Sequence, residues 1–137
     1  MIVLPRYRYD DLVDHAINAE NREVCGILGG NFSRDRSTVE SVYRTRNAAE
    51  DQRSRYAIDP AEQLEILDRL DTVGEAVVGF YHSHPTGPSG PSEIDATRAT
   101  WPDRSYVIIS LDGHPYVGSW RWRDGNGFEP EPVTLSG

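Results

Sequence analysis

In the run His82-Ser83-His84 two histidines stand two residues apart, and on an extended strand residues i and i+2 point to the same face. Both imidazoles can therefore reach one ion. Residues 85–91 follow as a Pro- and Gly-rich stretch that continues neither helix nor strand, so the chain can reverse there. Ser92 then opens a short helix that can carry Asp95 back toward the strand end as a third ligand. Two histidines and a carboxylate leave the fourth tetrahedral position of a zinc ion for water, the arrangement of a catalytic rather than a structural zinc site. Zinc lowers the pKa of such a water from about 15.7 to about 7, which makes a nucleophile at neutral pH. A general base must still take the proton and return it to the leaving group, and a carboxylate entering from a neighbouring strand suits both steps. Glu23, at the mouth of the strand candidate at 24–30, has that character.

Each piece alone has a plainer reading. A single histidine near a strand end is more often a surface or core residue, and Ser92 with Asp95 three positions on is also a variant of the helix capping box. The combination is what points to metal chemistry.

The elements that must position these residues follow from local patterning. Leu12, Ala16, Ile17 and Ala19 at near-helical spacing predict a helix over 8–20, ending around Asn21. The apolar run 24–30 reads as a buried strand with Glu23 at its mouth and Cys25 on the same face as Glu23. Alternation predicts a strand over 38–45, and the polar stretch 47–55 reads as an exposed loop. Asp59 as N-cap, Pro60 at the first helical position and an apolar stripe of Leu64, Leu67 and Leu70 predict a helix to about Val73, stopped by Gly74. Residues 76–84 read as a central strand that delivers both histidines. Strands are expected at 106–111, 116–123 and 128–135, separated by the turn signals DGHP and DGNG, as an antiparallel meander. His15 and His114 have no companion at ligand spacing and are expected to face solvent. Ser83, opposite its histidine neighbours, is expected to pack or hydrogen-bond beneath the site.

At 137 residues the chain fits one domain, 1–137, with a core of its own. The expectation is an α/β class: a curved mixed β-sheet flanked by helices. Cys25 is the single cysteine, so no intrachain disulfide and no Cys-rich zinc finger can form; it is read as a small buried hydrophobe. The same count closes the route to the zinc deaminases, which need a second cysteine. The amino-terminal residues lack a signal-peptide pattern, and no apolar run approaches the ~20 residues of a membrane span, so no membrane association and a cytoplasmic location are expected. A net charge of −8 argues against nucleic acid as a partner. All 14 basic residues are arginine. Arginine without lysine, beside an acidic excess, reads as adaptation to a salt-rich cytosol, where surface repulsion is screened within a Debye length of ~3 Å at 1 M salt; GC-rich codon usage explains the arginine but not the acid.

The segment HSHPTGPSGPSEID, with seven residues between His84 and Ser92, resembles the signature of the JAMM (MPN+) metalloproteases, and REVCGILGG resembles that family's glutamate-bearing segment. The resemblance covers most of the chain. It implies a JAMM/MPN domain of cytidine-deaminase-like fold, one catalytic zinc ion on His82, His84 and Asp95, Glu23 as general acid/base, and Ser92 as hydrogen-bond donor to the tetrahedral oxyanion. A donor aimed at that charge is worth ~3–4 kcal/mol of transition-state stabilisation, but the same Ser92 can cap its helix.

Members of this family cleave isopeptide bonds at the carboxy terminus of ubiquitin or ubiquitin-like proteins. The resemblance therefore implies an isopeptidase acting after the Gly-Gly end of β-grasp modifiers, in this short acidic form small archaeal modifier proteins on target lysines. The alternatives are processing of sulfur-carrier proteins, by trimming or by cysteine release, and a non-catalytic zinc-dependent binding module. A Gly-Gly tail offers only backbone to read, so pairing with extended chain is expected, with 47–56 and 100–105 as candidate rims of the substrate path.

Overall fold

The computed structural model describes residues 1–53, 55–86, 89–92, 95–96, 99–112 and 115–137. His114, Gly87 and Pro88 of the Pro/Gly stretch, and Glu93 and Ile94 between Ser92 and Asp95 lie outside the described residues. The described elements are β1 (Ile2–Pro5), α1 (Arg6–Asn18), β2 (Cys25–Asn31), β3 (Ser37–Thr45), α2 (Pro60–Val73), β4 (Ala76–His84), β5 (Ser105–Ser110), β6 (Tyr116–Arg123), β7 (Gly127–Glu131) and β8 (Val133–Ser136). The strands form one mixed sheet in the order β7-β6-β5-β4-β2-β3-β1-β8. Its edge strands β7 and β8 are consecutive in the chain, separated by Pro132 alone, so the sheet curls almost into a barrel.

One apolar cluster joins Leu12 and Ala16 of α1 to Leu28, Val78, Tyr81, Val107 and Ile109 of the sheet. A second joins Ile66 and Leu70 of α2 to Ile27, Val77, Phe80 and Tyr106. Each such aliphatic or aromatic side chain removed from water contributes about 1.5–3 kcal/mol. An aromatic chain extends the second cluster, with Phe80 against Tyr106 and Trp101 and Phe128 against Tyr106 and Trp122.

β4 is central, antiparallel to β2 on one side and parallel to β5 on the other. Its pairing with β2 shifts where Leu28 faces Gly79 and Gly29 faces Val77, which leaves Val78 as an extra residue. The bulge inverts the alternation: Val78 packs on the α1 side, whereas Phe80 packs on the α2 side. Gly79 is required at this point, because a Cβ there would run into the Ser105 carbonyl of β5.

α2 has the expected boundaries. Asp59 accepts from the Ala61 amide at 2.9 Å, and Gly74 closes the helix in the left-handed region at φ 76°. The stripe differs from expectation: Ile66 and Leu70 are buried and Leu67 packs beside them, while Leu64 is 66% exposed. Burial follows the i, i+4 row, which lies over β2 and β4. α1 starts and ends earlier than expected, and its Ile17 is exposed.

The stretch expected as one strand over 128–135 is two. Pro132 has no N–H for a ladder, and the chain leaves β6 there to pair β8 in parallel with β1. The meander is therefore confined to β5, β6 and β7. β1 has no counterpart in the sequence expectations; its three apolar residues are too short a run to distinguish from a helix entry. No helix among the described residues is long and apolar enough to cross a membrane.

Candidate metal centre

His82 and His84 occupy the carboxy-terminal end of β4. Downstream of the bulge they share parity with Phe80, so both point to the α2 side, and both are buried. Their Nε2 atoms are 3.1 Å apart. Asp95 faces them with one carboxylate oxygen each, Oδ1 at 3.2 Å from His82 and Oδ2 at 3.2 Å from His84. Glu23, immediately before Val24 and β2, brings its carboxylate to the same spot: ligand atoms of Glu23, His82 and His84 all lie within 4.8 Å of one another. Cys25 pairs with His82 across β2 and β4, which explains why residues preceding β2 arrive beside the end of β4.

Two carboxylates thus compete as the third ligand beside one histidine pair. Their surroundings separate them. Burial alone would raise the Asp95 carboxyl, but hydrogen bonds from His82 and His84 and from the Ser92 amide outweigh it and hold it well below the usual carboxylate range. Glu23 is pushed up to about 7, chiefly by burial, with His84 opposing and Asp95 and Asp51 adding to the rise. A permanently ionised carboxylate suits a ligand, and one that titrates near neutrality suits a proton carrier. Burial also lowers His82, favouring the neutral imidazole that binds metal. The donor set fits zinc: two imidazole nitrogens 3.1 Å apart face one carboxylate, and a cation placed among them would take the position of the protons that His82 and His84 now share with Asp95.

Ser92 and Asp95 cap each other. The Ser92 amide donates to Asp95 Oδ2 at 2.8 Å and the Asp95 amide donates to Ser92 Oγ at 3.1 Å, and the amides of Ala96 and Ala99 return to the carbonyls of Ser92 and Asp95 in helical spacing. This fixes the Asp95 carboxylate and gives Ser92 Oγ a capping role, while a hydroxyl that accepts still carries a proton to donate. Ser83 lies beneath the site, as expected: its Oγ accepts from the Val24 amide at 2.9 Å, and its own amide donates to the Val24 carbonyl at 3.1 Å. Cys25 is a buried free thiol against Thr45, raised to about 11 by burial.

Two expectations need correction. His15 does not face solvent freely: its Nδ1 is hydrogen-bonded to the Tyr81 hydroxyl at 2.8 Å, and burial followed by Arg44 lowers it to about 4. The stretch 47–55 is not simply an exposed loop. Asn47 is buried and bridges antiparallel to Ile58, which folds the segment back. The return places Tyr56 face to face on the His82 ring, with centroids 4.2 Å apart and planes at 17°. No local pattern marks Asn47 among polar neighbours, since the partner that ties it to the site, the Glu23 carbonyl, is 24 positions away.

Tyr56 also walls a cavity of about 290 Å³ with Ile58, Phe80, Trp101 and Tyr106. Tyr106 draws the Thr100 and Trp101 amides to its hydroxyl, both at 3.3 Å. Both candidate rims thus supply cavity walls on the face that carries the histidines.

The model of prokaryotic homologs of the JAB domain matches residues 5–123. The chain is 41% identical over 98 residues to the desampylase of Haloferax volcanii, covering 72% of this chain and 69% of that protein. It is 34% identical over 126 residues to the CysO-cysteine peptidase of Mycobacterium tuberculosis, covering 90% and 84%. A probable TtuB-protein conjugate cleaving protease of Thermus thermophilus is 31% identical over 113 residues, covering 82% and 72%. The solution structure of a protein from Desulfitobacterium hafniense superposes with a TM-score of 0.88 at 33% identity, over 99% of this chain and 93% of that one. With a family match spanning the whole of the converging cluster, the chain belongs to the prokaryotic homologs of the JAB domain, the JAMM/MPN group.

Proposed function

We propose that the chain is a zinc-dependent isopeptidase that releases ubiquitin-like modifiers from target lysines by cleaving after their carboxy-terminal Gly-Gly. The buried pair His82 and His84 carries the reading, with Asp95 at 3.2 Å from each ring and the Glu23 carboxylate within 4.8 Å of both. The similarity to the Haloferax volcanii desampylase supports its substrate class. In this reading His82, His84 and Asp95 hold one zinc ion, which when bound supplies a Lewis acid and an activated water nucleophile. Glu23 takes the proton from the nucleophile and returns it to the leaving amine nitrogen. Ser92 Oγ donates to the oxygen of the scissile carbonyl as negative charge develops there. The substrate tail runs between 47–56 and 100–105. Small archaeal modifiers are the proposed partners, the cytoplasm the proposed location, and 1–137 one catalytic domain. The lysine-free acidic composition supports activity that rises toward molar salt.

The purified protein, with and without chelator and at low and molar salt, is incubated with lysine conjugates of a Gly-Gly-ending modifier, and the products are identified by mass spectrometry. Free modifier ending in Gly-Gly is expected in the zinc-loaded samples alone. Glu23→Ala should lower turnover by about 10²–10⁴-fold while zinc and conjugate still bind; retained turnover would sink the general-base role.

A second reading, processing of sulfur carriers, is favoured by the similarity to the CysO-cysteine peptidase. Faster release of cysteine from a carrier's carboxy terminus than of modifier from lysine would select it. Binding of conjugates without turnover under any metal or salt condition would leave the non-catalytic module.

A further inference from the structure

Glu23 lies outside the sheet. β2 begins at Cys25, so the backbone groups of Glu23 need partners other than a neighbouring strand. The segment folded back by Asn47 supplies both. The Glu23 N–H donates to the Gln52 carbonyl at 2.5 Å, and the Glu23 carbonyl accepts from Asn47 Nδ2 at 2.9 Å.

Asn47 is built for this. Its Nδ2 also donates to the Arg55 carbonyl at 2.9 Å, and its Oδ1 accepts from the Ala49 and Ala57 amides, each at 3.0 Å. All four hydrogen-bonding positions of the side-chain amide are filled. Gln52 Nε2 donates to the Asn47 carbonyl at 2.8 Å, which brings the Gln52 carbonyl to the Glu23 amide. The Ala48 amide meets the Ala57 carbonyl at 2.7 Å and completes the fold-back that lays Tyr56 on His82.

We infer that Asn47 is a positioning residue for Glu23: its buried amide clamps the segment 47–57 to the Glu23 backbone and so sets where the Glu23 carboxylate stands relative to His82 and His84. The inference rests on the reading of Glu23 as proton carrier. A carboxylate displaced by about 1 Å can cost on the order of 10²-fold in rate without touching substrate affinity.

Asn47→Asp is the sharpest variant. It keeps the shape and the oxygen facing Ala49 and Ala57, but sets an acceptor against the carbonyls of Glu23 and Arg55. Asn47→Ala removes both sets of bonds. Amide exchange by NMR on the metal-free protein should show the Glu23 N–H exchanging at least about tenfold faster in both variants, with protection across β2 kept. On a Gly-Gly conjugate at saturating concentration, kcat should fall about 10- to 100-fold, with zinc content within about twofold of wild type. In a Glu23→Ala background, Asn47→Asp should cost no more than about twofold further. Unchanged exchange at Glu23, unchanged kcat, or a full additional loss in the Glu23→Ala background overturns the inference. Loss of protection throughout the sheet in both variants also overturns it, by making Asn47 a folding residue. If no conjugate is cleaved, or Glu23→Ala turns over like wild type, the proposed function fails, and exchange at Glu23 alone decides whether the clamp exists.

Discussion

Two buried polar clusters sit at opposite ends of the central strands, and they are built on opposite principles. At the start of β5, Arg121 is 1% exposed and spends all five of its N–H donors: Nε on Glu131, one terminal nitrogen on the carbonyls of Ser33 and Asp103, the other on the Met1 carbonyl and Ser37 Oγ. Glu131 in turn accepts from Ser105 and Ser119 at 2.7 and 2.8 Å. Burial would raise its carboxyl, but Arg121, Ser105 and their neighbours hold it below the usual range. At the end of β4, by contrast, two imidazoles and two carboxylates meet, and among the described residues no arginine joins them. The first cluster is closed, with every charge matched inside the chain. The second sets two carboxylates against two imidazoles, a group that could hold a cation. Buried polarity signals structure in one case and chemistry in the other, and the balance of donors tells them apart.

The largest stability effect should come from the closed cluster. Arg121→Ala leaves Glu131 with two hydroxyls and the Met1 ammonium at 3.0 Å and strips the carbonyls of Met1, Ser33 and Asp103 of a donor, and should cost about 3–5 kcal/mol, read as a fall in the denaturant midpoint. A loss under about 1 kcal/mol would mean that the network is not closed in the sense argued. The cluster at the end of β4 should respond to added zinc instead. Zinc at about 100 times its dissociation constant should add about 2.7 kcal/mol to the unfolding free energy, and His82→Ala should abolish the gain. Equal stabilisation of wild type and His82→Ala would place the binding elsewhere.

The smallest effect belongs to His15, which is part of neither cluster. Its folded pKa, about 4, lies below the ordinary 6.5, so between those values the unfolded chain binds more protons than the native one. Stability contributed by neutral His15 is present above pH ~6.5 and is lost as pH falls toward 4. Because the ring is only half-buried, the loss should be on the order of 1 kcal/mol. His15→Gln should flatten that part of the stability profile; an unaltered slope would assign it to carboxylates.

What was legible in the sequence was whatever depends on short spacing. The period of two puts His82 and His84 on one face, and Asp59, Pro60 and Gly74 bound α2 by local capping chemistry. What was hidden depends on distant partners. Asn47 reads as one polar residue in a polar loop until Glu23, 24 positions away, supplies its acceptor. His15 reads as a surface histidine until Tyr81, 66 positions away, meets it. Leu64 fits an i, i+3 stripe as well as Ile66 fits an i, i+4 one, and only the position of the sheet under α2 decides between them.

The extra residue at Val78 has a consequence for how this chain can change. The aim of both histidines is stored as a parity, one count along β4 between the bulge and His82, rather than in any contact of the rings. A single deletion or insertion in Gly79, Phe80 or Tyr81 would turn both imidazoles to the α1 side and bring Tyr81 or Ser83 to face Asp95. Substitution along this stretch is a matter of degree, but a change of length by one is an on-off event. The strand can vary in what it carries there only while it keeps its count.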